Sequence, residues 1–174
     1  MTGKTFLNRV ANGQTDVVAL LLDLLKQTGA GYCVIGGLAV NAYAEPVVSL
    51  DLDLVVVTDK VEALCEAAQS RGVKVERFPH SVNLSVPGSD LRIQLQTDPR
   101  YQEFLPRAVE RQVLGYSMSV AALEDVLSGK LWAYQDEQRR KSKRQKDLAD
   151  ILRVVETHPE LKGQLPPEIA SQTD

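Results

Sequence analysis

The sequence predicts an α+β fold, with a mixed central β-sheet flanked by helices and further helices at the C-terminal end. Three observations lead to this prediction. Short apolar runs rich in β-branched residues alternate with helix-forming segments through the first two thirds of the chain. A glycine pair, Gly36-Gly37, follows one of these runs, and two aspartates, Asp51 and Asp53, open another. The last third carries apolar residues at helical spacing.

Composition limits the class of protein. With 174 residues, 44% of them hydrophobic and 25% charged, the chain can bury its own core and is typical of globular proteins. The net charge of −3 argues against a protein that coats DNA through bulk charge. No run approaches the about 18 apolar residues of a membrane span, and Cys33 and Cys65 lack the close spacing of metal or redox motifs. We therefore expect a cytoplasmic protein with reduced cysteines and no membrane partner.

The first part of the chain alternates helices with strands. A helix is predicted at 17–26, before the stop signal Thr28-Gly29. A strand follows at 32–35, after which the glycine pair leads into a helix at 38–44. In the segment 50–57, apolar residues and aspartates alternate at first, and the rest is wholly apolar. This pattern is typical of a central strand whose first part borders a site.

The remaining elements follow the same reasoning. A helix at 58–70 is capped by Thr58 or Asp59 and closed by Gly72. The elements predicted after it are strands at 73–78, 82–86 and 91–96, a helix at 101–108, a strand at 112–116, and helices at 120–138 and 146–156. We expect three parts, which are an α/β core at 1–116, a helical part packed on it at 117–158, and a loosely ordered tail at 159–174.

Asp51 and Asp53 are the first candidates for chemistry. Two residues apart in a strand, they project from the same face, about 6 to 7 Å apart at the backbone. A divalent cation would compensate two like charges at that distance, because Mg²⁺ binds hard oxygen ligands and completes its shell with water and substrate phosphates. Two aspartates that simply face water are the alternative when the pair is considered alone.

The glycine pair makes the metal interpretation more specific. Gly36-Gly37 lies between a predicted strand and a predicted helix, and thirteen residues separate Gly37 from Asp51. Glycine lets the backbone approach a ligand closely, and amides at the start of a helix can bind the phosphate oxygens of a nucleotide. An ordinary strand-to-helix corner is the alternative for the glycine pair alone. Together, the two motifs predict a nucleotide and metal site.

This arrangement resembles the signature of the DNA polymerase β-like nucleotidyltransferase superfamily, in which an apolar residue and Gly-Gly or Gly-Ser precede Asp-apolar-Asp-apolar by a spacer of this length. The chain is most similar to the AbiEii-like group of toxin–antitoxin and phage abortive-infection systems, whose members often read Gly-Gly-x-Ala and then Arg-x-Thr-x-Asp-x-Asp. The matching segments here are Gly36-Gly37-Leu38-Ala39 and Val47-Val48-Ser49-Leu50-Asp51-Leu52-Asp53. The resemblance implies the nucleotidyltransferase fold, Mg²⁺ or Mn²⁺ at Asp51 and Asp53, and nucleotide binding by Gly36, Gly37 and Ser49.

The resemblance continues to about residue 155. Family members carry a leucine shortly before Lys-Leu, then a basic stretch and Lys-Asp-x-x-Asp, and this chain has Leu127-Ser128-Gly129-Lys130-Leu131 and Lys146-Asp147-Leu148-Ala149-Asp150. It implies that Lys130 contacts the triphosphate as a mobile charge, and that Asp147 orients Lys130 or the attacking group. Without the resemblance, Lys130 would be interpreted as a surface lysine and Asp147 as a cap of the last helix.

Two positions depart from the family pattern. Val47 replaces the arginine, which removes a phosphate contact. Gln94 stands where many superfamily enzymes hold a third carboxylate that activates the incoming hydroxyl. Since glutamine cannot act as a general base, either Asp147 serves instead or catalysis is lost.

The resemblance implies an Mg-dependent nucleotidyltransferase that moves a nucleoside monophosphate from a nucleoside triphosphate to an RNA (tRNA) or protein acceptor, as a toxin–antitoxin component. The alternative is a catalytically degenerate member that binds a nucleotide or a cognate partner protein, which Gln94 and Val47 favour. The basic run at 139–146 would suit RNA, or it is a solvated helix face.

Overall fold

The computed structural model describes residues 15–113 and 115–174. The α-helices in this part of the chain are α1 (Val17–Thr28), α2 (Gly36–Val40), α3 (Val61–Ser70), α4 (Leu123–Gln135), α5 (Lys141–Thr157) and α6 (Pro167–Ala170). The strands are β1 (Tyr32–Ile35), β2 (Asp51–Val56), β3 (Lys74–Phe78), β4 (Ser81–Ser85), β5 (Arg92–Gln96), β6 (Val109–Val113) and β7 (Tyr116–Val120). Short 3₁₀ helices lie at Thr58–Lys60, Pro99–Arg107 and Pro159–Gln164.

The strands form one sheet in the order β3-β4-β5-β2-β1-β7-β6. Two neighbouring pairs, β1 with β7 and β2 with β5, are parallel, whereas the other neighbours are antiparallel. The sheet is therefore mixed and flanked by helices, and the predicted fold class is confirmed. The antiparallel β1–β2 pair places Ile35 opposite Asp53, so the end of β1 and the start of α2 lie beside the aspartate pair.

The two faces of the sheet differ in polarity. Leu52 on β2 lies beside Ile93 on β5, which lies beside Leu84 on β4, and all three are buried on the side that α1 covers. Side chains alternate along a strand, so the neighbouring residues, including Asp53 and Gln94, project to the opposite face. That face is polar and lies below α4 and α5.

The hairpin β6–β7 differs from the single strand predicted at 112–116. β6 is exposed over four of its five residues and reads Val-Glu-Arg-Gln-Val, so it lacks the alternation that marks a half-buried strand. Gly115 supplies the positive φ of the turn, at 86°. β7 then takes up 116–120, and α4 starts at Leu123 rather than at the predicted residue 120.

Residues 159–174 differ from the loosely ordered tail that was expected. They form a 3₁₀ helix and α6, with Leu161, Leu165 and Ile169 buried in the core. Proline and polar residues surround these three apolar residues in the sequence. For this reason the sequence alone does not show that all three side chains point into the core. The division into parts at 1–116 and 117–158 remains a proposal.

Both cysteines, Cys33 and Cys65, are buried and free. Within the described residues, none of the helices has the length and apolar character needed to cross a membrane.

Candidate active site

A cleft of about 490 Å³ lies between the polar face of the sheet and helices α4 and α5. Six of the seven residues singled out from the sequence line it, which are Gly37, Ser49, Asp51, Asp53, Lys130 and Asp147. The seventh, Gly36, lines an adjoining pocket of about 90 Å³. Asp53, Lys130 and Asp147 border both spaces. The structure therefore brings all the predicted site residues together.

The two carboxylates on β2 lie in different environments. Asp51 accepts a hydrogen bond at 2.6 Å from Nε of Arg92, which lies beside it on β5. Asp53 is half-buried, and in the described part of the chain it forms no ion pair. Burial raises the pKa of Asp53 to about 6, with Asp51 adding to the rise and Lys130 opposing it. The unpaired charge of Asp53 is therefore costly to hold in this structure.

The two glycines have different structural roles. Gly36 has a φ of 73°, and a Cβ there would lie 3.2 Å from Cβ and Cγ of Asp53 and still closer to its carboxylate oxygen Oδ2. A side chain at Gly36 would therefore displace the Asp53 carboxylate. Gly37 has ordinary spacing, since a Cβ there would lie 3.7 Å from Asp150 and 3.9 Å from Ser49. Gly36 allows the Asp53 carboxylate to lie close to the backbone, whereas Gly37 leaves its part of the cleft wall without a side chain.

Ser49 contacts the backbone at the start of β2. Its Oγ lies 3.2 Å from both the amide nitrogen and the carbonyl oxygen of Asp51. The residue is buried and lines the cleft beside Gly37. Its hydroxyl thus orients the backbone at the first aspartate.

Lys130 and Asp147 form a buried ion pair. Nζ of Lys130 lies 3.2 Å from Asp147 and 2.7 Å from Oδ2 of Asp150, and the lysine is only 8% exposed. Asp147 also accepts hydrogen bonds from Arg139, at 2.6 and 3.2 Å. The interpretations of Lys130 as a surface lysine and of Asp147 as a helix cap are therefore wrong. Lys130 is also held by two carboxylates rather than mobile.

Asp150 belongs to this cluster, although the sequence analysis did not include it among the site residues. Burial would raise the pKa of Asp150, but the charges and hydrogen bonds of Lys130 and Arg153 outweigh it and lower the pKa. Arg153 also donates to the carbonyl of Glu45 at 2.5 Å and to Asn41 at 3.3 Å. The signal was present in the Lys-Asp-x-x-Asp motif, because positions three apart on a helix share a face.

The two departures from the family pattern occupy different places. Gln94 lies beside Asp53 in the sheet and lines the cleft, so a neutral amide stands next to the aspartate pair. Val47 is 52% exposed, and its backbone is held by Asn41 through hydrogen bonds at 2.8 and 3.0 Å. Val47 does not line the cleft.

Comparison with protein families identifies the chain. Residues 32–170 match the family model described as "Nucleotidyl transferase AbiEii toxin, Type IV TA system". The chain belongs to this family. The match covers well over half of the sequence and includes every site residue discussed above. No curated protein matches the AbiEii-family chain in sequence.

Three solved structures illustrate the similarity in fold. The lincosamide antibiotic adenylyltransferase LnuA, bound to lincomycin, has a TM-score of 0.56 at 12% identity, over 82% of this chain and 99% of that one. ANT(2")-Ia, in complex with adenylyl-2"-tobramycin, has a TM-score of 0.65 at 13% identity, over 90% of this chain and 94% of that one. An antigenic nucleotidyltransferase-like protein from Paracoccidioides brasiliensis has a TM-score of 0.53 at 19% identity, over 95% of this chain and 84% of that one. At these identities the similarity supports the fold alone.

The AbiEii family implies a nucleoside triphosphate and a divalent metal, and the residues present fit both. Asp51 and Asp53 offer oxygen ligands on one face of β2, and the absence of a side chain at Gly36 makes room for the Asp53 carboxylate itself. In residues 15–113 and 115–174, no group of three or more His, Cys, Asp or Glu side chains is arranged to hold a metal ion. Two carboxylates with water and substrate phosphates are a common coordination shell for Mg²⁺.

Proposed function

We propose that this AbiEii-family protein is a Mg²⁺- or Mn²⁺-dependent nucleotidyltransferase, which transfers a nucleoside monophosphate from a nucleoside triphosphate to an RNA, such as tRNA, or to a protein. The observation that carries the proposal is the convergence of Asp51, Asp53, Lys130 and Asp147 from β2, α4 and α5 on one cleft. Residues far apart in sequence that meet in one polar cleft are the usual mark of an active site.

Each residue has a role that its position supports. Asp51 and Asp53 would hold the divalent ion, which neutralises phosphate charge when bound. Gly36, Gly37 and Ser49 would form the wall that receives the nucleotide. An acceptor hydroxyl would attack the α-phosphorus and release its proton to water. The new P–O bond would replace the bond to the β-phosphate, and pyrophosphate would leave with that electron pair. Alignment of the reactants would then supply much of the rate.

Lys130 and Asp147 act as a pair in this proposal. Lys130 would contact the phosphates, and Asp147 would orient it, since its Oδ1 lies 3.2 Å from Nζ of Lys130. Both oxygens of Asp147 already accept hydrogen bonds from cations. This favours orientation of Lys130 over proton transfer as the role of Asp147, so the proton of the attacking hydroxyl would pass to water rather than to Asp147.

The family description supports a toxin role, and we include a cognate partner protein and a cytoplasmic setting in the proposal. The alternative function is a degenerate member that binds a nucleotide or a partner protein without turnover. Gln94 favours it, because a neutral amide lies beside Asp53 where a third carboxylate would serve as the base.

The test is incubation of the purified protein with each α-labelled nucleoside triphosphate, Mg²⁺ or Mn²⁺, and total tRNA or a cell lysate. Wild type is compared with Asp51→Asn/Asp53→Asn. The matched control, Asp59→Asn/Asp90→Asn, removes two exposed carboxylates that lie outside the cleft. Label transfer by wild type and control, and not by the Asp51/Asp53 variant, is the expected result.

Two other outcomes contradict the transferase proposal. Equal transfer by all three proteins would exclude Asp51 and Asp53 from the reaction. Absence of transfer, together with metal-dependent nucleotide binding by the wild type, would establish the degenerate member. Gln94→Asp would then be the first variant to test for a gain of transfer.

A further inference from the structure

The basic run at 139–146 divides into two groups in the structure. Arg140, Lys143 and Lys146, three residues apart, line the cleft with Asp51 and Asp53. Lys141 does not line the cleft, and Arg144 is turned to Tyr134, donating to its carbonyl at 2.7 Å and lying 5.4 Å from its ring centre. The run is therefore not one cationic face on the outside of α5.

Arg140, Lys143 and Lys146, which we call the α5 cations, differ from the other cations of the cleft. Arg92 pairs with Asp51, while Lys130 and Arg139 pair with Asp147. In the described parts of the chain, none of the α5 cations forms an ion pair or a side-chain hydrogen bond. Like charges at this spacing on a helix repel one another. Three uncompensated positive charges thus face the space where the nucleotide is expected.

The two walls of the cleft differ in charge. On the sheet side, Asn83, Ser85 and Gln94 are neutral, Glu76 is paired with Lys74 at 2.8 Å, and the one cation there in the described part of the chain, Arg92, is paired with Asp51. On the α5 side lie Arg140, Lys143 and Lys146, which form no ion pair in the described part of the chain. In the described part of the chain, the cleft cations that are not paired with a carboxylate therefore all lie on the α5 side, where a triphosphate whose α-phosphate lies at Asp51 and Asp53 would meet them.

We propose that Arg140, Lys143 and Lys146 form a polyphosphate subsite, which binds the β- and γ-phosphates of the nucleotide and the pyrophosphate released from it. This inference rests on the proposed function, because it places the nucleotide in this cleft. Lysine and arginine bind phosphate through charge-assisted hydrogen bonds, which are stronger than neutral ones. The subsite takes the place of the RNA surface that the basic run suggests in the sequence.

The experiment is calorimetric titration of the full chain with inorganic tripolyphosphate, and with the mono-, di- and triphosphates of one nucleoside in the presence of Mg²⁺. Wild type is compared with Arg140→Gln/Lys143→Gln/Lys146→Gln. The matched control, Lys26→Gln/Lys60→Gln/Lys141→Gln, also removes three positive charges, and none of its three residues lines the cleft. The same proteins are titrated with tRNA.

We expect wild type and control to bind more tightly with each added phosphate. The variant Arg140→Gln/Lys143→Gln/Lys146→Gln, called the α5 variant, should lose at least about tenfold in affinity for tripolyphosphate and for the nucleoside triphosphate. Its loss of affinity for the monophosphate should be less than about twofold. An equal loss in the control would overturn the inference in favour of bulk charge. Unchanged tripolyphosphate binding by the α5 variant, with weaker tRNA binding, would overturn it in favour of an RNA surface.

This readout is independent of turnover. A wild type that binds no tripolyphosphate would overturn the polyphosphate subsite, while label transfer would still decide the transferase proposal. Conversely, a protein without transferase activity that shows the expected phosphate dependence would retain the subsite as a nucleotide-binding feature.

Discussion

Asp53 lies between the fully buried residues Leu52 and Leu54 on β2, and its carboxylate has no ion-pair partner in the part of the chain that the structure describes. Burial raises the pKa of Asp53 to about 6, which means that the folded protein binds its proton more tightly than the unfolded chain does. An unpaired, partly buried carboxylate lowers stability, and it is also the group that a divalent cation would compensate. Function and stability therefore oppose each other at this residue.

The first prediction concerns the pH dependence of stability. In the metal-free protein, the stabilising protonation of Asp53 is complete below the unfolded pKa near 3.8 and is lost as the pH rises through about 6. Between pH 5 and 8, wild type should therefore lose on the order of 1–2 kcal/mol of unfolding free energy relative to Asp53→Asn. Urea denaturation at both pH values, with a chelator present, measures this difference. Parallel pH profiles of the two proteins would contradict it.

At the scale of elements, α5 links the two sides of the site. Its Asp147 and Asp150 hold Lys130 of α4, and Arg153 connects Asp150 to the carbonyl of Glu45 in the loop before β2. One helix thus positions the buried lysine and the segment that leads to the aspartate pair. Breaking such a buried network by removing one charge leaves its partners uncompensated, which is strongly destabilising.

The second prediction tests this link with Asp150→Asn. The variant leaves Lys130 with Asp147 alone, so we expect a loss of about 2–4 kcal/mol in unfolding free energy and weaker metal-dependent nucleotide binding. Asp125→Asn is the control, because Asp125 is also a buried aspartate with an arginine partner, Arg107, but lies outside the cleft. Arg107 is 54% exposed, so the loss of unfolding free energy in Asp125→Asn should be smaller than in Asp150→Asn, with nucleotide binding unchanged.

Chemical denaturation and nucleotide titration of the two variants provide the measurement. If Asp125→Asn weakened nucleotide binding as much as Asp150→Asn does, the effect would arise from general loss of stability. The role of Asp150 in positioning Lys130 would then be wrong.

At the scale of the whole molecule, the C-terminal segment completes the core. Leu161, Leu165 and Ile169 are at most 8% exposed, and the 3₁₀ helix that begins at Pro159 packs on α5, the helix that carries Asp147 and Asp150. Each fully buried side chain of this size contributes about 1.5–3 kcal/mol relative to its exposed state. The segment therefore supports the helix that closes the active-site cleft.

The third prediction is that deletion of residues 159–174 lowers the melting temperature by at least about 10 °C, because three core side chains are lost together. Deletion of residues 171–174 alone is the control and should change it by less than about 3 °C, since those residues bury no apolar side chain. Differential scanning calorimetry of the three proteins decides the matter. Similar melting temperatures for wild type and the longer deletion would show that the segment does not stabilise the core.

Local patterns in the sequence were sufficient for much of the molecule. The strand at 32–35, the glycine turn, and the placing of Asp51 and Asp53 on one face of the next strand all follow from the two-residue period of a strand and the backbone freedom of glycine. The extents of β6 and of the C-terminal segment could not be predicted in this way. β6 is an exposed edge strand without alternation, and the C-terminal apolar residues are scattered among prolines.

What only the tertiary structure decided is which faces of separate elements meet. Lys130 looks like a surface residue in the sequence, and it is buried because α5 brings Asp147 and Asp150 to within 3.2 and 2.7 Å of its Nζ. The sequence does not show which side chains of the basic run face the same side, yet four of its six cations, Arg139, Arg140, Lys143 and Lys146, line the cleft. The sequence by itself determined the family motifs and the aspartate pair, because these depend on neighbours along the chain. Buried ion pairs between α4 and α5 depend on how the two helices pack against each other, and no local period encodes that packing.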